Sequence, residues 1–110
     1  MNKFLSLLGL CKRAGKLQAG ELAAEQAVKK KNAVLLIVAE DASFNTKKKF
    51  KNSAAYYEVP IKEIGTKEAL GRAIGTEQRS VIAVTDAGFG KKLSLLAENI
   101  IQPKDENNME

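Results

Sequence analysis

One hundred and ten residues make one domain around one core, and a chain of this size buries roughly two-thirds of its unfolded surface on folding. With 45% hydrophobic and 28% charged residues the composition is globular; it has no His, no Trp and one Cys, which removes the commonest general base, the commonest metal ligand and any internal disulfide. Eighteen basic against thirteen acidic residues leave +5, a balance that favours an acidic partner, nucleic acid first.

The excess is local. Met1 to Lys51 holds eleven Lys/Arg against four Asp/Glu, Asn52 to Ile101 is neutral, and Gln102 to Glu110 carries a net −2. A polyanion should therefore meet elements of the first half. Phe4 to Leu10 is apolar but too short for a secretory signal and runs straight into Lys12-Arg13, and no stretch approaches the roughly 20 apolar residues of a membrane span. A cytoplasmic protein with a reduced thiol is expected.

Taken in order, Asn2 is placed to cap a first helix with Phe4, Leu7, Leu8 and Cys11 on one stripe, ended by Gly15. After an extended Lys16-Leu17-Gln18, Gly20 opens a second helix that closes on Lys29-Lys30-Lys31. Ala33 to Ala39 is a continuous apolar run, which suits a strand buried on both faces. Ser43 caps a third helix with Phe50, Ala54 and Tyr57 inward, and Val59-Pro60-Ile61 follows as a short strand near an edge. Thr66 caps Lys67 to Ile74, Gly75 stops it, and Ser80 to Val84 is another apolar strand. A last helix from about Phe89 to Asn99 presents Phe89, Leu93, Leu96 and Ile100. The alternation predicts a three-layer α/β/α sandwich around a mixed, largely parallel sheet of about four strands. Residues 1–101 form the single domain in this reading, and 102–110 a disordered polar tail.

Catalysis finds little support. Cys11 lies on an apolar stripe with no His to activate it, and Asp41 and Asp86 follow strands but precede helices, where they serve as caps. Gly88-Phe89-Gly90-Lys91-Lys92 lacks the remaining parts of a phosphate loop. No enzyme activity, cofactor or metal is expected. The basic segments fit RNA better. Lys12, Arg13 and Lys16 flank the turn into Gly20, where a helix start exposes backbone N–H groups to a phosphate or base edge. The four Phe and two Tyr fall at mostly inward positions, so stacking along a single strand is disfavoured and structured RNA, rather than DNA, is the expected partner.

Several segments then carry a family resemblance: Leu8-Gly9-Leu10, Arg13-Ala14-Gly15-Lys16, Gly20-Glu21, Glu40-Asp41-Ala42-Ser43 with Asn45 to Lys49, Tyr56-Tyr57-x-Val59-Pro60, Leu70-Gly71-Arg72-x-Ile74-Gly75 and Val81 to Asp86 with Gly88-Phe89. Over roughly Leu5 to Ala97 the chain resembles the kink-turn-binding ribosomal-protein family, and within it the small bacterial YlxQ-like branch. The resemblance implies an α/β/α sandwich that grips a sharply bent RNA loop with tandem G·A pairs, at the Gly20 helix start, the preceding strand and the loop before the last strand. It also implies a changed code. In the family's Gly-x-Asn-Glu-x-x-Lys signature, counted from Gly20, the Asn, Glu and Lys slots hold Leu22, Ala23 and Gln26. Leu22 and Ala23 have no side-chain hydrogen bond to offer; Gln26 still donates and accepts. The loop that is often aliphatic in such proteins reads Thr76-Glu77-Gln78-Arg79 here, and a position lining a flipped-out base in some relatives falls on Ser43.

The expected RNA-binding set is therefore Lys16, Gln18, Gly20, Glu21, Leu22, Gln26, Lys29, Lys30, Ser43, Thr76, Gln78 and Arg79, with ribosomal RNA and ribosome association as the expected context. Two rivals stand beside it: a protein-interaction module that kept the fold and lost the RNA code, and a small-molecule binder or enzyme subunit using Asp41 and Asp86.

Overall fold

A computed structural model describes residues 1–101; the expected tail, 102–110, lies outside the described residues. Helix α1 (Asn2–Arg13) buries Phe4, Leu8 and Cys11. Asn2 does not cap it: the Met1 carbonyl already accepts the Leu5 N–H at 2.9 Å, so the helix starts one residue earlier and Asn2 lies in its first turn. Gly15, at φ +72°, turns the chain into β1 (Leu17–Ala19). Helix α2 (Glu21–Lys29) follows, then β2 (Leu35–Val38) and α3 (Phe44–Tyr57).

Strand β3 (Ile61–Glu63) begins two residues later than the Val59–Ile61 reading. Pro60 has no N–H for the ladder; its carbonyl accepts from the Leu36 N–H at 2.8 Å, and regular pairing starts only after it. Helix α4 (Lys67–Ala73) is capped by Thr66, whose hydroxyl oxygen accepts the Ala69 N–H at 3.0 Å. After β4 (Val81–Val84) comes α5 (Ala87–Ile101), two residues ahead of Phe89, because the Asp86 carboxylate accepts the Phe89 N–H at 2.9 Å and caps the helix. Leu93 and Ala97 are among its buried residues, and Ile100, expected inward, is exposed.

The sheet order is β1-β4-β2-β3. Its mixed character is as expected, but it is not largely parallel. Only β2 and β3 run parallel, while β4 inserts between β1 and β2 and runs against both, pairing Leu17 with Val84 and Val38 with Val81. All four residues of β2 and of β4 are buried, as their unbroken apolar runs predict. Helices α1, α4 and α5 pack together, as do α2 and α3, which gives the three layers.

The antiparallel insertion of β4 has a functional consequence. The end of β1, the end of β2 and the start of β4 all lie at one end of the sheet. Gly20, Ser43 and the 76–80 loop are thereby gathered from three distant parts of the chain.

Candidate nucleic-acid interface

At that end Gly20 adopts φ +100°, a backbone that favours glycine. Its N–H donates to the Val81 carbonyl and its own carbonyl accepts from Ala24, both at 2.9 Å. No side chain caps α2. The N–H groups of Glu21, Leu22 and Ala23 have no acceptor among the described residues, so the positive end of α2 is open to an anion.

A hydrogen-bonded chain joins this helix start to that of α3. The Ser43 hydroxyl accepts the Thr46 N–H at 3.1 Å and donates to Thr46 Oγ1 at 3.0 Å; the Thr46 hydroxyl in turn donates to Glu21 Oε2 at 3.0 Å. Glu21 and Ser43 are thus brought together, but their polar groups hold each other through Thr46, a residue the sequence reading missed. Its signal was a threonine three residues after a capping serine. In the loop before β4 Gln78 is exposed, whereas Thr76 and Arg79 turn inward. The Thr76 hydroxyl reaches the Gly71 and Glu77 carbonyls, and the Arg79 guanidinium donates to the Gln78 carbonyl at 3.0 Å.

From the open end of α2 a groove of about 430 Å³ runs along β1, lined by Gln18, Ala23, Gln26, Ala27, Lys30, Asn32 and Thr85. It presents three carboxamides, a hydroxyl and an ammonium group, and no carboxylate. Gln18, Gln26 and Lys30 were expected here. Asn32 and Thr85 were not, being single polar residues just outside an element. At the far end the Lys16 carbonyl accepts the Thr85 N–H at 2.9 Å, which places Lys16 beside Thr85.

Lys29, also expected, points elsewhere. Its ammonium lies 3.4 Å from Glu25, which Lys49 also approaches at 3.2 Å, and the two lysines, Lys49 first, hold the Glu25 carboxyl below the usual range. Lys47 and Lys51 similarly bracket Glu63 at 3.0 and 3.2 Å and lower it, Lys47 more strongly, against a smaller opposing effect of burial. Among the described residues from Lys12 onward in the basic half, Lys12, Arg13, Lys16, Lys30, Lys31 and Lys48 have no ion pair. Two aromatic rings also break the expectation of inward positions: Phe44 and Tyr56 are 76% and 80% exposed and offer ring faces on which a base can stack.

The groups considered for catalysis are engaged in structure. Cys11 is fully buried, its thiol donates to the Lys16 carbonyl at 3.3 Å, and burial first and the Asp86 charge second push its pKa up to about 11. Asp41 accepts the Lys67 N–H at 2.8 Å, so it serves the start of α4 rather than the adjacent α3. Among the described residues no cluster of His, Cys, Asp and Glu is suited to a metal ion, and no helix is long and apolar enough to cross a membrane.

This fold and sequence have known counterparts. Residues 2–105 match the ribosomal protein L7Ae/L30e/S12e/Gadd45 family. The chain is 43% identical over 96 residues to the RNA-binding protein YlxQ of Bacillus subtilis, covering 87% of this chain and 96% of the relative. Identity to the Enterococcus faecium protein of the same name is 42% over 96 residues, covering 87% and 92%. A Bacillus halodurans structure described as of unknown function superposes with a TM-score of 0.85 at 45% identity, over 87% of this chain and 97% of that one. A 15.5 kD RNA-binding protein of Giardia lamblia shares the fold at a TM-score of 0.75 and 22% identity, over 88% and 86%. With the match extending over nearly its whole length, the chain belongs to the L7Ae/L30e/S12e/Gadd45 family of ribosomal proteins.

Proposed function

We propose that this is an RNA-binding protein without catalytic activity, acting in the cytoplasm on structured RNA, ribosomal RNA included, through residues 1–101 as one domain. The observation that carries the reading is the carboxylate-free groove from the open start of α2 to Lys30, bordered by unpaired cations. Phosphates suit the free N–H groups and the ammonium ions, and the carboxamides of Gln18, Gln26 and Asn32 suit base edges. The names of the YlxQ relatives support RNA as the ligand class. Of the sequence-derived set, Lys16, Gln18, Gly20, Leu22, Gln26, Lys30 and Gln78 stay in the proposed contact surface. Glu21, Ser43, Thr76 and Arg79 shape it, and Lys29 is engaged by Glu25.

For a kink-turn the reading predicts weak binding. Ala23 and Gln26 line the groove and Leu22 is 71% exposed, which supports placing the signature slots at the contact surface, but two of them lack side-chain hydrogen-bonding groups. Each lost bidentate contact is worth about 1–3 kcal/mol. The combined Leu22→Asn, Ala23→Glu and Gln26→Lys variant should therefore bind a kink-turn at least about tenfold more tightly than the wild type. Calorimetric titration against a kink-turn and its G·A-disrupted control tests this, with filter retention and sequencing of total RNA naming the natural ligand. Retention of no RNA by the wild type would refute the function. The exposed Leu22 and Phe44, on helix starts tied by the Glu21–Thr46 hydrogen bond, favour a second reading in which a protein partner docks there. That reading gains if the folded triple variant binds kink-turns no better.

A further inference from the structure

Alternate residues of the turn after α2 line two different grooves. Lys30 and Asn32 face the one along β1; Lys31 and Ala33 face a second, of about 590 Å³, between the C-terminal ends of α2 and α3. Buried Val28 and Ala33 with half-buried Val59 give it an apolar floor, Tyr56 and Tyr57 add aromatic surface, and exposed Lys31 and Glu58 make its rim polar with one charge of each sign. The tyrosine rings meet edge to face, centroids 4.8 Å apart, and the 80% exposure of Tyr56 leaves ring surface free to stack.

The backbone marks the same place. Lys31 (φ 63°) and Glu58 (φ 59°) are the two non-glycine residues with positive φ among the described residues, and both line this groove. Helices α1 and α4 end instead on Gly15 and Gly75, at +72° and +77°. Charged side chains thus stand at the two helix ends facing the groove, in a conformation where glycine is least strained.

We propose that this groove holds one unpaired nucleotide of the bound RNA, its base stacked on Tyr56, its phosphate on Lys31 and a ribose hydroxyl or exocyclic amine donating to Glu58. An aromatic face serves any base, an ammonium serves a phosphate, and a carboxylate accepts from the hydroxyl that distinguishes RNA from DNA. Lys30 and Lys31 are consecutive, so the two grooves lie on either side of one backbone turn. The inference rests on the RNA-binding reading, and its test separates the two.

The protein has two tyrosines and no tryptophan, so all of its tyrosine emission comes from residues lining this groove. Titrating the full chain with a six-adenosine oligoribonucleotide at low salt should lower that emission by about a third or more. Tyr56→Ser, at an exposed position that leaves the fold intact, should weaken hexamer binding about tenfold while filter retention of total RNA persists. Lys31→Gln should weaken the hexamer several-fold, about threefold to fivefold. Retention of total RNA with no hexamer binding, or hexamer binding with unchanged emission and equal affinity for wild type and Tyr56→Ser, would overturn the inference. So would stronger quenching by an aromatic peptide than by the hexamer, which would assign the groove to a protein partner. If wild type retains no RNA of any kind, the RNA-binding reading falls and this inference with it.

Discussion

Three consecutive lysines meet three different fates: Lys29 closes on Glu25, Lys30 lines the first groove and Lys31 the second. Replacing Lys30 or Lys31 by Gln should each reduce the slope of log affinity against log salt by about one, and Lys29→Gln by less, as measured by anisotropy from low to high salt. At the thiol, Cys11→Ala should cost on the order of 1 kcal/mol in denaturant unfolding and leave RNA affinity unchanged. The raised thiol pKa fixes a sign. The unfolded thiol loses its proton near 9 and the folded one near 11, so the unfolded state binds fewer protons in that window and stability falls as pH rises through it. Wild type should lose stability between pH 9 and 11 by an amount that Cys11→Ala does not. Glu25 and Glu63 act in the opposite direction: held below the usual carboxylate range, they contribute stability that is lost as pH falls through their folded values.

At the scale of elements, the joint between the starts of α2 and α3 rests on Thr46, which is 8% exposed. Thr46→Val keeps the volume but leaves the Glu21 carboxylate and the Ser43 hydroxyl without this partner, and should destabilise by about 1–3 kcal/mol in urea unfolding. Serine at this position should restore most of the loss. A second joint is Gly71, buried in α4, where a Cβ would run into the Glu77 carbonyl. Gly71→Ala should displace the 76–80 loop and cost about 3 kcal/mol or more. Most element positions were legible because apolar spacing and capping residues are local: Ser43, Thr66 and Gly20 start helices where the sequence places them. The direction of β4 was not, since it depends on which strands it joins and not on Val81 to Val84 themselves. Nor were Asn32 and Thr85, which enter the site only because β1 and β4 pair beneath α2. The exposure of Phe44 and Tyr56 escaped because an aromatic near an apolar stripe looks like core until the helix phase is fixed by its neighbours.

For the whole molecule, the surplus of the basic half is partly spent inside it, since Lys29, Lys47, Lys49 and Lys51 have carboxylate partners. With roughly five phosphates neutralised by the rest, the salt slope for RNA should lie between about −3 and −5. A flat dependence would remove the electrostatic argument.

The central place of β4 also bears on synthesis. Gly20 is anchored on Val81, and β1 and β2 are joined through a strand that leaves the ribosome last of the four. Until β4 follows, the basic half has β2 and β3 but nothing to join β1 to them, so its lysines precede the surface that gives them selectivity. A fragment of residues 1–78 should accordingly show little ordered structure by circular dichroism and bind polyanions indiscriminately. Adding residues 79–101 in trans should restore both the helical signal and the discrimination, which would identify the completion of one inner strand as the step that turns a sticky polycation into a reader.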